Sequence, residues 1–277
     1  ATVLLGVPTM FHDMLGHPRF AATDTSSVRL VYYGAYDPSG IMRRTAEAFG
    51  ASGGDTEMVH TYGLTEAGPF VAYCPAEEIF EHWGSIGRAV AGVEIALLDD
   101  DGAEVPVGQA GEICVRGPRM SGYWRKPEES AAALAGGWLH TGDMAVSDED
   151  GYLQIVDRKK DMIRSGGQNI YSKQIEDCLS EHPAVLDSAI IGLPDPVYEE
   201  LVCAVVVAKP PATADDDLVI LLKDHVRHHL AGYNTPRQIV FVDALPKNAV
   251  GKTQKQVLRQ QFGSTFDRGA TTLTPGG

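Results

Sequence analysis

The chain has 277 residues, 44% of them hydrophobic, and a formal net charge of −14, enough apolar material for one large or two modest cores. The acidic balance leaves no basic stripe to neutralise phosphates and excludes the nucleic-acid-binding class, whereas a small nucleotide can still be held by glycines, helix ends and single cations. No run approaches the roughly 20 apolar residues of a membrane span, no signal peptide is visible, and four dispersed cysteines (Cys74, Cys114, Cys178, Cys203) without a C-x-x-C pair read as core thiols in a reducing, cytoplasmic setting.

In chain order, Ala1 to Pro8 starts without Met inside an apolar strand pattern and reads as the start of a fragment. Val28 to Tyr33 has high β propensity, Gly34-Ala35-Tyr36-Asp37-Pro38 follows as a turn, and Ser39 is an N-cap candidate for a helix ending at Gly50. Met58 to Tyr62 reads as another strand, so the succession predicts a helix-covered, mostly parallel sheet. From Trp83 to Val156 short apolar runs (Val93 to Leu98, Glu112 to Val115, Tyr152 to Val156) alternate with turn signals at Asp101-Gly102 and Asp150-Gly151, which predicts an antiparallel β-barrel or sandwich. Beyond Asp157 a helix from Ser172 to Glu181 presents Ile175, Cys178 and Leu179 on one face. Strands at Ser188 to Ile191 and Leu201 to Val207, a helix from Asp215 to Leu230 with an acidic start, a strand at Gln238 to Val242 and a helix from Thr253 to Phe262 complete a compact α+β unit. The fold class is therefore α/β plus α+β. Residues 1–157 form the back part of a large domain (sheet subdomain 1–80, β-barrel subdomain 81–157), 158–265 a small mobile domain, and 266–277 a disordered tail.

Five segments carry more polar chemistry than packing requires. Tyr62-Gly63-Leu64-Thr65-Glu66 follows a strand, where open α/β sheets place ligands, and pairs a hydroxyl with a carboxylate suited to phosphate and Mg²⁺; a turn with Thr65 as N-cap is the plainer alternative. Gly137 to Asp143 reads as a loop whose Asp143 could accept both hydroxyls of a ribose; a satisfied structural aspartate is the plainer alternative. Asp157 to Ile170 is a dense charge cluster at the seam of two textures, suggesting a polar hinge, with Arg158 in reach of nucleotide hydroxyls and Gly166-Gly167 leaving room for a thin ligand; a solvated charge run is the plainer alternative. Leu245 to Thr253 ends in Gly-Lys-Thr like a P-loop, but Pro246 stands where that motif needs glycine; what survives is a lysine on a flexible turn, able to swing onto developing negative charge. Gly111 to Pro118 reads as mainly structural. His225, His228 and His229, spaced three and four apart, read as a surface histidine patch and not as a metal-ligand set.

Taken in order, these motifs resemble the adenylate-forming superfamily, and the spelling Asp157-Arg158-Lys159-Lys160-Asp161-Met162-Ile163 with Gly166-Gly167-Gln168-Asn169-Ile170-Tyr171 is closest to acyl-CoA synthetases. The resemblance covers about residues 3 to 262. It implies that Thr65 contacts the α-phosphate and Glu66 holds Mg²⁺, that Tyr62 packs by the adenine with Gly34 and Ala35 on the same side, and that Asp143 and Arg158 reach the ribose. By the same resemblance Asp157 is the hinge, Gly166 and Gly167 line the pantetheine tunnel, and Lys252 bridges carboxylate and α-phosphate, with Lys247 near it in sequence but outside the catalytic place. The expected activity is activation of a fatty or aryl carboxylic acid with ATP to an acyl-adenylate, releasing pyrophosphate, and transfer to CoA with release of AMP. ATP/AMP, Mg²⁺ and coenzyme A are the implied cofactors, and a homodimer is compatible with this reading. Two departures from the family pattern stand out: no Ser/Thr/Gly-rich phosphate loop occurs in this sequence, and Tyr36 and Asp37 occupy positions where small residues and proline are usual. The alternatives are an inactive nucleotide-binding fragment and transfer to a carrier-protein thiol.

Overall fold

A computed structural model describes residues 1–34, 40–50, 56–248, 251–263 and 272–273. The chain divides into two compact units, Ala1–Val156 and Asp157–Gly277.

In the first unit, β1 (Val3–Gly6), β2 (Leu30–Gly34) and β3 (Glu57–Leu64) are parallel neighbours, and β4 (Gly68–Cys74) and β5 (Arg88–Ala89) continue the sheet antiparallel. Helices α1 (Pro8–Gly16) and α2 (Ile41–Ala48) are the crossovers that parallel pairing demands. Their apolar residues Phe11, Ile41, Met42 and Ala46 bury against Val31, Tyr33 and Met58 of the sheet. Ser39 and the 35–38 turn, with Ala35, lie outside the described residues; α2 is preceded by Gly40 in a left-handed conformation, with no side-chain cap. Strand β3 runs two residues further than the pattern of Met58 to Tyr62 suggests, ending in a tight 3₁₀ turn at Thr65–Ala67.

Residues 81–158 supply the antiparallel strands β6 (Glu94–Leu98), β7 (Gly111–Arg116), β8 (Leu139–Ser147) and β9 (Leu153–Arg158), paired in that order, with α3 (Pro127–Ala133) between β7 and β8. Leu97, Ile113, Val115, Leu139, Ala145 and Leu153 pack with Tyr62, Val71 and Ala72 of the first sheet, so one core serves both sheets. A strap at Ser85 to Gly87 joins them: the Ser85 hydroxyl and the Ile86 amide both donate to the Leu153 carbonyl at 2.8 Å, and the Leu153 amide donates to the Gly87 carbonyl at 3.0 Å.

The second unit centres on a long hairpin, β12 (Val185–Asp195) with β13 (Glu199–Ala208). Strand β13 pairs further with β14 (Gln238–Phe241) and meets β10 (Ile163–Ser165), which pairs with β11 (Gln168–Ile170). Both faces are covered, which is why β13 is a nearly unbroken apolar run. Val202, Ala204 and Val206 face α4 (Ser172–Ser180) and α5 (Asp216–His229), while Cys203, Val205 and Val207 face Leu258 and Phe262 of α6 (Lys255–Phe262). Ile175, Cys178 and Leu179 of α4 are buried, and Asp215 caps α5 by accepting from the Leu218 amide at 2.9 Å. The last helix opens at Lys255 and not at Thr253, because Thr253 pairs with Lys247 across a turn. Most of the tail expected to be disordered lies outside the described residues, but Thr272–Leu273 (β15) pair with β14. All four cysteines are buried thiols with no disulfide, and among the described residues no helix is long and apolar enough to cross a membrane.

Gly87 gives a direct check on the strap. Its φ is +79°, and a Cβ there would lie 1.8 Å from the Tyr73 carbonyl oxygen. Gly87→Ala is expected to destabilise the chain by about 3 kcal/mol or more, since left-handed strain adds to a clash with backbone that has no rotamer to yield. Urea denaturation measures this; a change below about 1 kcal/mol would remove the strap from the account of this fold.

Candidate functional site: a strand-end cluster and a buried anchor

In the first unit the C-terminal ends of β2 and β3 lie side by side, with Gly34 opposite Thr61. The Thr61 hydroxyl donates to the Tyr33 carbonyl at 3.2 Å. One residue on, the Tyr62 hydroxyl donates to Asp143 Oδ2 at 2.8 Å, so two residues 81 apart in sequence meet at one strand end. Tyr62 is buried and Asp143 half-buried. Thr65 is exposed at the turn that follows. Glu66 is held there twice, its carbonyl accepting from the Met120 amide at 2.7 Å and its Oε1 from the Tyr123 hydroxyl at 3.0 Å. Burial and the Glu66 carboxylate both raise the Tyr123 pKa, so Tyr123 stays a donor at neutral pH. Glu66 Oε2 has no hydrogen bond among the described residues and is the oxygen open to a cation. A single carboxylate beside a phosphate fits Mg²⁺, which usually takes one or two carboxylates plus phosphate oxygens.

The segment from Gly137 to Asp143 is not a loop throughout: from Leu139 it belongs to β8. Between Glu112 and Cys114 of β7 the register with β8 shifts, so Thr141, Gly142 and Asp143 stand opposite Ile113 alone. This is a bulge, a device that re-aims side chains, and Gly142 takes φ +74° within it. Its glycine and polar content imitates a loop because the ladder is broken there. Thr141 stabilises the bulge by donating to the Ile113 carbonyl at 2.8 Å and accepting from the Asp143 amide at 3.2 Å.

Glu112, in the segment that reads as mainly structural, is the residue that sequence reasoning missed. It is 5% exposed. Its Oε1 accepts from the Gly142 amide at 3.0 Å, and its Oε2 lies 3.0 Å from His140 Nδ1. The signal was present: a lone carboxylate amid Ile113, Cys114 and Val115 on a buried strand needs partners.

In the second unit the carboxylate of Asp157 is buried and fully engaged. Oδ1 accepts from the Arg158 amide at 2.7 Å; Oδ2 accepts from the Ser172 amide at 2.6 Å and the Ser172 hydroxyl at 2.8 Å. Asp157 thus caps the first amide of α4 from fifteen residues away, a task no residue of the local N-cap performs. Lys255 donates to the Ser172 hydroxyl at 2.7 Å and pairs with Glu176 Oε1 at 2.7 Å, and that oxygen also accepts from the Ile190 amide. Burial raises the pKa of both Asp157 and Glu176, with Lys255 the largest opposing influence on each.

Arg158 is exposed next to this anchor. Gly166 and Gly167 form the two-residue tip of the β10–β11 hairpin with φ +57° and +78°, the left-handed pair that a type I′ turn requires. The Gly166 amide donates to the Tyr198 carbonyl at 3.0 Å. Lys252 is exposed on a turn in which its amide donates to Asn248 Oδ1 and its carbonyl accepts from the Asn248 amide, both at 2.9 Å. Its ammonium makes no ion pair among the described residues, whereas Lys247 is tied to Asp187 at 2.7 Å. The site residues thus fall into two sets, Gly34, Tyr62, Thr65, Glu66 and Asp143 in the first unit and Asp157, Arg158, Gly166, Gly167 and Lys252 in the second.

Two substitutions probe the supports. Glu112→Ala strands the Gly142 amide and His140, and should cost about 2 kcal/mol in urea denaturation; Glu112→Gln, which keeps one acceptor oxygen, should cost less. Lys255→Met leaves the buried Asp157 and half-buried Glu176 carboxylates without their cation, and should cost about 3 kcal/mol at neutral pH, the low end for a buried pair because Glu176 is 23% exposed. A carboxylate whose folded pKa is raised contributes stability below its unfolded value, and that contribution is lost as pH rises through the folded value. The Lys255→Met deficit should therefore shrink as pH falls toward the ordinary aspartate value of 3.8; a deficit unchanged between pH 4 and 7 would disconnect Lys255 from both acids.

Residues 1–124 match the family described as AMP-binding enzyme, and residues 174–252 match the AMP-binding enzyme C-terminal domain. A long-chain-fatty-acid–CoA ligase of Salmonella typhimurium is 42% identical over 270 residues, covering 97% of this chain and 46% of the relative. A feruloyl-CoA synthase of Amycolatopsis is 40% identical over 264 residues, covering 95% of this chain and 52% of the relative. Among solved structures, the amide bond synthetase McbA of Marinactinospora thermotolerans superposes with a TM-score of 0.82 at 37% identity, covering 95% of this chain and 52% of that one. The chain spans about half the length of the relatives it matches. With both the AMP-binding and the C-terminal family signatures in order, the chain belongs to the adenylate-forming superfamily of AMP-binding enzymes.

Proposed function

We propose that this chain serves an AMP-forming acyl-CoA synthetase that activates a fatty or aryl carboxylic acid with ATP and passes the acyl group to CoA. The observation that carries the reading is the Tyr62–Asp143 bond beside the Thr65–Glu66 turn, at the C-terminal strand ends where α/β folds receive nucleotides. The two relatives named as a fatty-acid–CoA ligase and a feruloyl-CoA synthase support the substrate classes.

In the first step a carboxylate oxygen attacks the α-phosphorus of ATP, the bond to the bridging oxygen breaks, and pyrophosphate leaves. Negative charge gathers on the α-phosphoryl oxygens, and donors aimed at it supply most of the acceleration. Thr65 and Lys252 are the proposed donors. Asp143, oriented by Tyr62, accepts from the ribose with Arg158 assisting, and Gly34 with Ala35 flanks the adenine. Glu66 would hold Mg²⁺, which neutralises phosphate charge. In the second step the CoA sulfur attacks the acyl carbon, the bond from carbon to the phosphate oxygen breaks, AMP departs and the thiol proton passes to solvent. A hinge at Asp157 would exchange Lys252 for the Gly166–Gly167 turn between the steps, a recognised class of closure motion.

Likeness to an amide bond synthetase favours one second reading, in which an amine takes the place of the thiol as acceptor. Both readings share the adenylate, so offering CoA and amines to the preformed acyl-adenylate separates them.

In the intact enzyme Lys252→Ala should lower ATP–pyrophosphate exchange about 100-fold or more while thioester formation from supplied acyl-adenylate persists. Equal losses in the two half-reactions would overturn the role given to Lys252.

A further inference from the structure

Helices α4 and α5 bring together a set of soft ligands that none of the adenylation residues uses. His225 and His229 stand four apart on α5 and share a face, and Cys178 is buried on the last turn of α4. One ligating atom from each of the three lies within 4.8 Å of the other two, and the two imidazole rings are 4.3 Å apart. The residues differ from the histidine triplet that stands out in the sequence. His228 drops away, its Nδ1 bonded to the Asp224 carbonyl, and a cysteine 47 residues upstream replaces it.

The backbone sets both tautomers. His225 Nε2 donates to the Cys178 carbonyl at 2.9 Å, and His229 Nδ1 donates to the His225 carbonyl at 2.8 Å. A carbonyl accepts only from N–H, so each neutral ring keeps a lone pair on its other nitrogen, Nδ1 of His225 and Nε2 of His229. Metal-ligating histidines are held in this way, with the second nitrogen given to a backbone carbonyl or carboxylate.

We propose that Cys178, His225 and His229 form a zinc site with three protein ligands and a fourth position for water. A thiolate with two imidazoles suits a borderline-soft ion that takes four ligands, and offers nothing to Mg²⁺ or Ca²⁺, which require oxygen. The Cys178 thiol is pushed up to about 11, first by burial and then by the Glu181 and Asp177 carboxylates. Burial disfavours the bare thiolate, but a coordinated dication deprotonates a ligating thiol outright, so the ligand would be the thiolate. His182 borders the site with its ring 5.1 Å from that of His225, but its Nδ1 already accepts from the Ala184 amide at 3.2 Å. A bound ion would clamp the end of α4, whose other end is held by Asp157, to α5. This site stands independently of the ligase reading.

The test uses the full chain stripped of metal with a chelator. Calorimetry with Zn²⁺ should show one site, Zn²⁺ should raise Tm, and Co²⁺ in its place should give a sulfur-to-cobalt charge-transfer band. Because His229 is exposed, His229→Gln keeps the fold; it should weaken Zn²⁺ binding at least about tenfold and abolish the Tm rise, while His228→Gln changes neither. Cys178→Ser should remove the charge-transfer band, and if that variant does not fold, the comparison of His229→Gln with His228→Gln decides. Absence of Zn²⁺ binding, equal weakening by the two histidine variants, or Co²⁺ binding without a thiolate band in the unmodified chain would each overturn the site.

Discussion

The carboxylate of Asp157 occupies the point where the two units of the chain divide, and much of the second unit is organised around it. A buried aspartate is tolerable only when its oxygens are met, and here three donors meet them: the Arg158 amide, the Ser172 amide and the Ser172 hydroxyl. That choice of partners has structural consequences. It supplies the N-terminal cap of α4, and through Ser172 it reaches Lys255 at the start of α6, three residues after Lys252. The segment that leaves the first unit and the helix that follows the Lys252 turn are therefore connected through the side chains of Asp157, Ser172 and Lys255 inside one compact unit. The residue proposed as hinge thus sits in a buried polar network that reaches Lys255, three residues along the chain from the exposed Lys252.

The first unit solves a different problem, presenting polar groups at the end of a central strand without losing their direction. A strand end alone leaves Tyr62 and the Thr65–Glu66 turn free to vary. The bulge in β8 brings Asp143 to Tyr62, and buried Glu112 holds the bulge by its Gly142 amide. Tyr123 performs the corresponding task for Glu66. Asp143 and Glu66 are thus each oriented by a tyrosine hydroxyl, and the bulge that carries Asp143 is held by Glu112, a residue with no assigned chemistry. This is the usual relation between a reactive site and its supports.

The two halves of the second unit's sheet show how burial on both faces shapes a sequence. Val202 to Val207 gives no alternation to read, because one set of residues meets α4 and α5 while the other meets α6. The same covering helices gather buried Cys178, half-buried His225 and exposed His229 in one cluster. That grouping arises from the packing of α4 on α5 and from no motif.

The order of motifs, most strand and helix positions and the candidate site residues could be named from the amino-acid sequence. Local propensity and short-range spacing specify them: the apolar runs of β2, β3 and β13, the Gly166-Gly167 tip that a type I′ turn demands, and the Gly251-Lys252 turn. Their supports were not legible. Glu112 gave a faint signal as a charge on an apolar strand, but its partners Gly142 and His140 lie on another strand. The capping of α4 by Asp157, the Lys255 link and the Cys178–His225–His229 cluster join residues 15 to 83 positions apart. Such contacts are decided by which faces pack together once the sheets form, because a hydrogen bond or a ligand set depends on distance in space, and sequence separation carries no information about it until tertiary structure closes the loop.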